Sequence, residues 1–415
     1  MGRRPVSFAE VQLEHQELAG KHLVVGLTGG IACYKIAELT RLLTKAGASV
    51  QIVMTEAAAQ FITPVTMQAL SGRPVYTSQW DARVDNNMAH IDLSREADAI
   101  LIAPASTDFI AKLAHGFADD LLSTLCIARD CPLLVVPAMN RQMWQNPATQ
   151  RNAAQLRADG ISVLGPDSGA QACGEVGDGR MLEPAAIYEA IASHFRPKLL
   201  AHKRVLITAG PTFEPLDPVR GLTNLSSGKM GFALARAAQQ AGAEVHLVAG
   251  PVHLATPWGV YRQDVQTAQQ MHDAVMHAVP DADLFIAVAA VADWRVAQPA
   301  AHKIKKTADR KMPVLEFVEN PDILASVAAL PDAPYCVGFA AESGDLEVHG
   351  EEKRRRKQVP LLIGNLGPLT FGLDDNEVVL FEAAGTTRLP RAAKATLAHT
   401  LIEEIAKRLP DTRLI

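Results

Sequence analysis

Long apolar runs are missing from this sequence. None approaches the roughly 18 residues that would suggest a membrane-spanning helix. Paired cysteines are missing too. The five present, Cys33, Cys126, Cys131, Cys173 and Cys336, are odd in number and form no C-x-x-C pair. That argues against a disulfide framework or zinc ribbon and for reduced thiols in a cytoplasmic setting. A basic surplus is also lacking: 40 Lys and Arg stand against 45 Asp and Glu, a net charge of -5. A surface of that balance does not suit a nucleic-acid partner. Met1-Gly2-Arg3-Arg4 leads to Glu10 and Glu14 rather than to an apolar stretch, so no secretory leader is expected.

What is present is the composition of a folded globular chain, 48% hydrophobic and 20% charged over 415 residues. That length suggests two domains of about 200 residues each. Residues 1–20 read as a polar extension without a motif. Apolar runs then alternate with helical patterns, as in a parallel sheet with crossover helices. Strands are expected at 22–28, 49–54, 99–103 and 133–136, with a helix from Lys35 to Lys45. Gly29-Gly30, Thr55, Ser106 and Asn140 follow the carboxyl ends of these strands, where open parallel sheets hold their ligands. A polar helix and linker are expected around 185–203. The alternation restarts at 205–208 and continues at 244–248, 284–288, 335–339, 361–364 and 378–381. The reading is two fused α/β domains, 21–195 and 196–415, each a mainly parallel sheet flanked by helices.

The chain is organised around Thr223-Asn224-Leu225-Ser226-Ser227-Gly228-Lys229-Met230-Gly231, between an apolar strand and a helix. It is neither G-x-x-x-x-G-K-[ST] nor G-x-G-x-x-G. A small, hydroxyl- and glycine-rich entry to a helix still offers backbone N–H groups and a helix dipole to an anion. Other candidates have plain alternatives. A lone histidine such as His90 is more often a hydrogen-bonded structural residue, Asn140 also reads as a helix cap and Asp293 as a cap at a strand end. Lys303-Ile304-Lys305-Lys306 and Lys353-Arg354-Arg355-Arg356-Lys357 read as solvated faces. Cys173, among Gly169, Gly174, Gly177 and Gly179, sits on a glycine-rich loop or flap.

Taken together, the motifs carry a family resemblance. Gly29-Gly30-Ile31-Ala32-Cys33-Tyr34-Lys35, Met88-Ala89-His90-Ile91-Asp92-Leu93, Ala118-Asp119-Asp120-Leu121-Leu122, Pro137-Ala138-Met139-Asn140 and Ala172-Cys173-Gly174-Glu175 resemble the flavin-containing cysteine decarboxylases. Gly210-Pro211-Thr212, Asp217-Pro218-Val219-Arg220, the central stretch, Ala290-Val291-Ala292-Asp293, Lys303-Ile304-Lys305-Lys306, Asn320-Pro321-Asp322 and Gly338-Phe339-Ala340-Ala341-Glu342 look like the phosphopantothenate–cysteine ligases. The fusion is similar to the bacterial bifunctional coenzyme A biosynthesis flavoproteins and covers nearly everything after residue 20.

The resemblance implies two Rossmann-like domains, the first flavodoxin-like. It implies CTP-dependent ligation of cysteine to 4′-phosphopantothenate through an acyl-cytidylate, with Mg2+ on the phosphates. FMN then oxidises the cysteinyl thiol, CO2 leaves, and a hydride returns to give 4′-phosphopantetheine. By resemblance Cys173 supplies the final proton, His90 is catalytic and Asn140 orients the substrate carboxylate. Gly29, Gly30, Ile31, Thr55 and Ser106 are expected at FMN. Asn224 is expected to stabilise the acyl-cytidylate, and Lys303 to contact the triphosphate and serve turnover. Arg220, Ser226, Ser227, Gly228, Lys229, Ala287, Val288, Ala289, Asp293, Asn320, Pro321, Asp322, Ile323, Phe339, Lys353 and Lys357 are expected at substrate or CTP. The metal ligands are not assigned. The family also implies homo-oligomers: trimers of decarboxylase domains, up to a dodecamer, with paired ligase domains and an FMN site shared between subunits.

The sequence departs from the family at several places. Asp108 and Phe109 stand where asparagine and threonine are usual, and Phe213 where arginine is common. Gly221, Leu225 and Pro360 replace aromatic, polar and acidic residues. These departures motivate two alternatives: a flavin-binding regulatory protein, and a flavin-dependent decarboxylase with another substrate or a weakened ligase half.

Overall fold

Leu23-Val24-Val25, Ile100-Leu101-Ile102 and Leu133-Leu134-Val135-Val136 are all buried. Apolar runs this continuous suit strands covered by helices on both faces. The computed structural model describes residues 16–80, 88–172, 174–305, 314–342, 344–366 and 372–410. The chain divides into two units, Met1–His194 and Phe195–Ile415.

In the first unit β1 (His22–Leu27), β2 (Ser49–Met54), β3 (Ala99–Ala105), β4 (Leu133–Pro137) and β5 (Ser162–Val163) form one parallel sheet in the order β2-β1-β3-β4-β5. This is the flavodoxin-like order, whose direction reverses between β1 and β3. Its helices are α1 (Cys33–Lys45), α2 (Pro64–Ser71), α3 (Ala89–Glu96), α4 (Thr107–His115), α5 (Leu121–Ala128), α6 (Arg141–Gln145), α7 (Pro147–Ala158) and α8 (Pro184–Phe195). An antiparallel pair, β6 (Asp167–Ala170) and β7 (Val176–Arg180), brackets residue 173, which lies outside the described residues. The segment expected to be a polar helix is instead well anchored. In α8, Ile187, Tyr188, Ala190 and Ile191 are buried, an apolar face hidden in the sequence by the intervening Glu189, Ser193 and His194.

The second unit contains β8 (Arg204–Ala209), β9 (Phe213–Pro215), β10 (Gly221–Thr223), β11 (Glu244–Ala249), β12 (Val260–Asp264), β13 (Leu284–Ala287), β14 (Trp294–Val296), β15 (Phe317–Glu319), β16 (Tyr335–Glu342), β17 (Leu361–Leu366), β18 (Asp375–Glu382) and β19 (Gly385–Ala393). Its helices are α9 (Lys229–Gln240), α10 (Ala268–Ala278), α11 (Ile323–Ala328), α12 (Leu346–Lys357) and α13 (Lys394–Ala406). The main sheet runs β12-β11-β8-β13-β16-β17-β18-β19, parallel through β17 and antiparallel thereafter. Its first six strands follow the Rossmann order 3-2-1-4-5-6, reversing between β8 and β13. Side chains alternate between two cores, as a pleated strand requires. Val205 and Ile207 pack into one with Leu284 and Ile286, and Leu206 into the other with Phe285.

Candidate functional site

In the first unit a cleft of about 930 Å³ opens at the switch point between β1 and β3. Its wall includes Thr28 and Gly29 after β1, Thr55 after β2, and Ser106 and Thr107 after β3. Thr28 fastens two of these ends together. Its hydroxyl donates to Pro104 O at 2.7 Å and accepts from Ser106 N at 2.9 Å. Gly29 is required sterically, because a Cβ there would lie 2.6 Å from the Ala57 methyl. Ser106 caps α4, accepting from Phe109 N at 3.2 Å. Asp108 and Phe109 both line the cleft, and Phe109 is buried in the core. Lys112 binds Asp119 at 2.9 Å and Asp120 at 3.1 Å. Burial works against its charge, but those two carboxylates outweigh it and raise its pKa.

Gly30 and Ile31 are not in the cleft wall, and Ile31 is 60% exposed. His90 is half-buried on α3. Asn140 caps α6, its Oδ1 accepting from Met143 N at 3.0 Å, and its Nδ2 donates to Gln142 Oε1 at 3.0 Å. The β6–β7 flap docks on this corner. Met139 N donates to Gly179 O at 2.9 Å, Arg141 N to Gln171 Oε1 at 3.0 Å, and Gln142 Nε2 to Glu175 Oε1 at 2.7 Å. Gln171 N also donates to Glu175 O at 2.8 Å, so the residues on either side of 173 are tied together beside Asn140. Cys173 itself lies outside the described residues.

The second unit has a pocket of about 370 Å³ at its own switch point. Asn224, Ser226, Ser227, Gly228 and Lys229 form one wall, Val288, Ala289 and Asp293 another, with Phe339 and Lys353 completing it. Two buried threonines hold the second wall in place. Thr208 Oγ1 accepts from Ala289 N at 3.3 Å, and Thr212 Oγ1 from Ala292 N at 3.0 Å. Gly228 begins α9 at φ 75°, a left-handed turn suited to glycine. Ala287 ends β13 just before this wall. Asn320, Pro321, Asp322 and Ile323 lie behind Asp293 rather than in the pocket lining. Asn320 N donates to Asp293 O and Asn320 Nδ2 to Ala292 O, both at 2.8 Å. Asp322 caps α11 and pairs with Lys357. Burial lowers the Lys357 pKa, and Asp293 opposes that shift.

Arg220 and Lys303 also fall outside the pocket lining. Arg220 is paired with the buried Asp217 through Nε at 3.0 Å and a second contact from Nη2, which also donates to Ile304 O at 2.8 Å. Asp217 Oδ2 accepts from Ile304 N at 3.1 Å. The pair therefore anchors the exposed segment that carries Lys303. The Arg220 side chain, ahead of the opposing effect of burial and with help from backbone N–H groups, holds the Asp217 carboxyl well below the usual range. Its contribution to stability is complete above the unfolded-state value of about 3.9 and is lost only as pH falls toward the lower folded value. Asp217→Asn is expected to release this segment and speed its proteolytic cleavage on the order of tenfold. Limited proteolysis at neutral pH, with the cut sites mapped by mass spectrometry, checks it.

Several pocket residues gave no signal in the sequence. Lys394 opens α13, Asn365 ends in β17 and Asn376 lies in β18, yet all three reach the pocket. Phe213 does not line it. Its ring lies over Gly221, where a Cβ would be 2.3 Å from the ring. An aromatic side chain at 221 and Phe213 could not share that space, so the two departures from the family compensate each other. Among the described residues no group of three or more His, Cys, Asp or Glu side chains is placed to hold a metal ion, and no helix is long and apolar enough to cross a membrane.

Two doubly wound sheets, each with a crevice at its strand-order reversal, define an α/β protein of the kind that holds ligands at such crevices. The family described as Flavoprotein matches residues 11–196, and the DNA/pantothenate metabolism flavoprotein C-terminal domain matches residues 200–409. The chain is 51% identical over 398 residues to the coenzyme A biosynthesis bifunctional protein CoaBC of Vibrio cholerae, covering 95% of this chain and 100% of that one. To the protein of the same name from Vibrio vulnificus it is 50% identical over 394 residues, covering 94% and 98%. To that from Escherichia coli it is 49% identical over 400 residues, covering 95% and 98%. The chain belongs to the family of bifunctional coenzyme A biosynthesis flavoproteins.

Proposed function

We propose that the second unit joins cysteine to 4′-phosphopantothenate using CTP, and that the first unit decarboxylates the product to 4′-phosphopantetheine with FMN. What carries the reading is the convergence of Asn224, Ser226–Lys229, Val288–Ala289, Asp293, Phe339 and Lys353, from distant parts of the chain, on one pocket at a Rossmann switch point. Ser226, Ser227 and the start of α9 suit phosphate, with Lys229 and Lys353 supplying positive charge. The apolar Val288–Ala289 wall and Phe339 suit the base. Mg2+ would neutralise phosphate charge and would be held mainly by the nucleotide and water, so a dedicated carboxylate cage would not be needed.

The first unit's cleft has the size of a cofactor site, hydroxyls at three strand ends and the close approach at Gly29, which suit FMN. Thr28, Thr55 and Ser106 would hold the flavin at these strand ends, where it would supply reversible two-electron redox chemistry toward the substrate thiol. Loss of the carboxylate as CO2 leaves the overall decarboxylation redox-neutral. Asn140, held by Gln142 and its own cap, orients the substrate carboxylate. His90 pairs with or exchanges a proton near that group. Cys173, which lies between β6 and β7 in the sequence, delivers the last proton. The working form is a cytoplasmic homo-oligomer, built from decarboxylase trimers and ligase pairs, in which neighbouring subunits share the FMN cleft.

The test is mass spectrometry of purified protein given 4′-phosphopantothenate, cysteine, CTP and Mg2+. The expected product is 4′-phosphopantetheine, with the cysteine adduct accumulating when FMN is stripped. Absence of any CTP-dependent cysteine adduct overturns the ligase reading. Bound flavin without turnover of supplied phosphopantothenoylcysteine overturns the decarboxylase reading.

A further inference from the structure

Lys394 is in a costly place for a lysine. It is the first residue of α13, where the helix dipole disfavours a cation, and it is only 8% exposed. Its Nζ donates to Leu373 O at 2.6 Å, and its backbone N–H to Asp374 O at 2.8 Å. The same turn receives Lys229, whose Nζ donates to Asp374 Oδ1 at 2.5 Å. Burial and the Lys229 charge lower the Lys394 pKa, while Asp374 and Asp375 oppose them. The charged side chains in the pocket wall are Lys229, Asp293, Lys353 and Lys394; Lys229 also pairs with Asp374, and Lys353 with Glu342 at 3.5 Å. Two lysines far apart in the sequence are thus brought to one turn beside the start of α9.

We infer that Lys394 is a phosphate ligand of the bound nucleoside triphosphate, acting with Lys229 as a two-cation clamp on its polyphosphate. A polyanion between the two ammonium groups turns their mutual repulsion into shared attraction and offsets the burial of Lys394. This rests on the nucleotide reading of the pocket. It adds a contact from the far end of the chain that couples the 372–374 turn to the nucleotide. A lysine placed only to hold the Leu373 carbonyl would not need a cationic neighbour or a position in the pocket wall.

The experiment compares the full-length wild type with Lys394→Gln and Lys394→Arg, all with Mg2+. CTP, CDP and CMP binding is measured by calorimetry, and the KM values for CTP and cysteine by ligation assay. Losing one charged hydrogen bond to phosphate is expected to weaken CTP binding and raise its KM about tenfold or more. The KM for cysteine and the decarboxylation of supplied phosphopantothenoylcysteine should stay unchanged. The loss should shrink from CTP to CMP as phosphates are removed, and Lys394→Arg should restore part of it. A CTP affinity for Lys394→Gln within twofold of wild type overturns the inference. So does an equal loss for all three nucleotides, which would mark a structural role. If Lys394→Gln does not fold, equal CTP-to-CMP preference in wild type and Lys394→Arg overturns it, because the clamp predicts a changed preference. Failure of wild type to bind CTP at all would instead sink the nucleotide reading beneath it.

Discussion

Asn224→Ala is expected to slow ligation by about 10²–10³-fold, the cost of removing one donor aimed at developing charge, while decarboxylation of supplied phosphopantothenoylcysteine is unaffected. The reason lies in how firmly the amide is held. Asn224 follows directly on β10, and its Nδ2 donates to Ala290 O at 2.9 Å. Thr223 Oγ1 donates to Thr212 O at 2.8 Å, and Thr212 in turn receives Ala292 N. One wall of the pocket thus fixes the orientation of a side chain on the other. Ala290 N also donates to Gly210 O at 2.9 Å, so little of this frame depends on Asn224 itself, and the alanine variant should fold. Single-turnover ligation with unchanged thermal unfolding checks it. A rate within threefold of wild type would remove Asn224 from the reaction.

Gly179→Ala is expected to cut decarboxylation on the order of 100-fold, as misplacement of a catalytic group by about an ångström does, with ligation intact. Gly179 has φ 122°, and a Cβ there would lie 2.6 Å from Met139 O and 3.1 Å from Asn140 O. Backbone atoms cannot yield as a flexible side chain does, so the flap must lift from the corner that carries Asn140. Gly160→Ala serves as the control. It also has a positive φ, 77°, but a Cβ there meets nothing within 4 Å. It should cost about 1–2 kcal/mol of stability without loss of either activity. The measurement is decarboxylation of supplied phosphopantothenoylcysteine for both variants. Equal behaviour of the two would mean that flap docking does not matter.

Legibility in the sequence followed length and hydrophobicity. The principal parallel strands could be read because each is a run of consecutive buried apolar residues. The helix after the central stretch was legible because Gly228 and Gly242 bracket an apolar face. The hairpins β6–β7, β9–β10 and β14–β15 were not. Each strand has three to five residues, too few for a period to emerge. Asp-Ser-Gly-Ala and Val-Gly-Asp-Gly-Arg carry no apolar alternation at all. These short pairs nevertheless set the flap against Asn140 and carry Asn224 to its pocket.

By itself the sequence determined the family of the protein, its α/β class and where the principal parallel strands end. A parallel strand ends where its apolar run ends, and polar or small residues must follow there. Only the tertiary structure decided which strand ends meet, because strand order is a property of the whole sheet. It also separated residues in the pocket wall from those that support it. Asn320, Asp322 and Lys357 stand behind Asp293, and Arg220 anchors the Lys303 segment through Asp217. Lys394 shows the limit most plainly. In the sequence it is one lysine after a polar hairpin, and nothing local distinguishes it from a solvated surface residue. Burial against the turn that also receives Lys229 gives it a role, because charge acts through distance in space rather than along the chain.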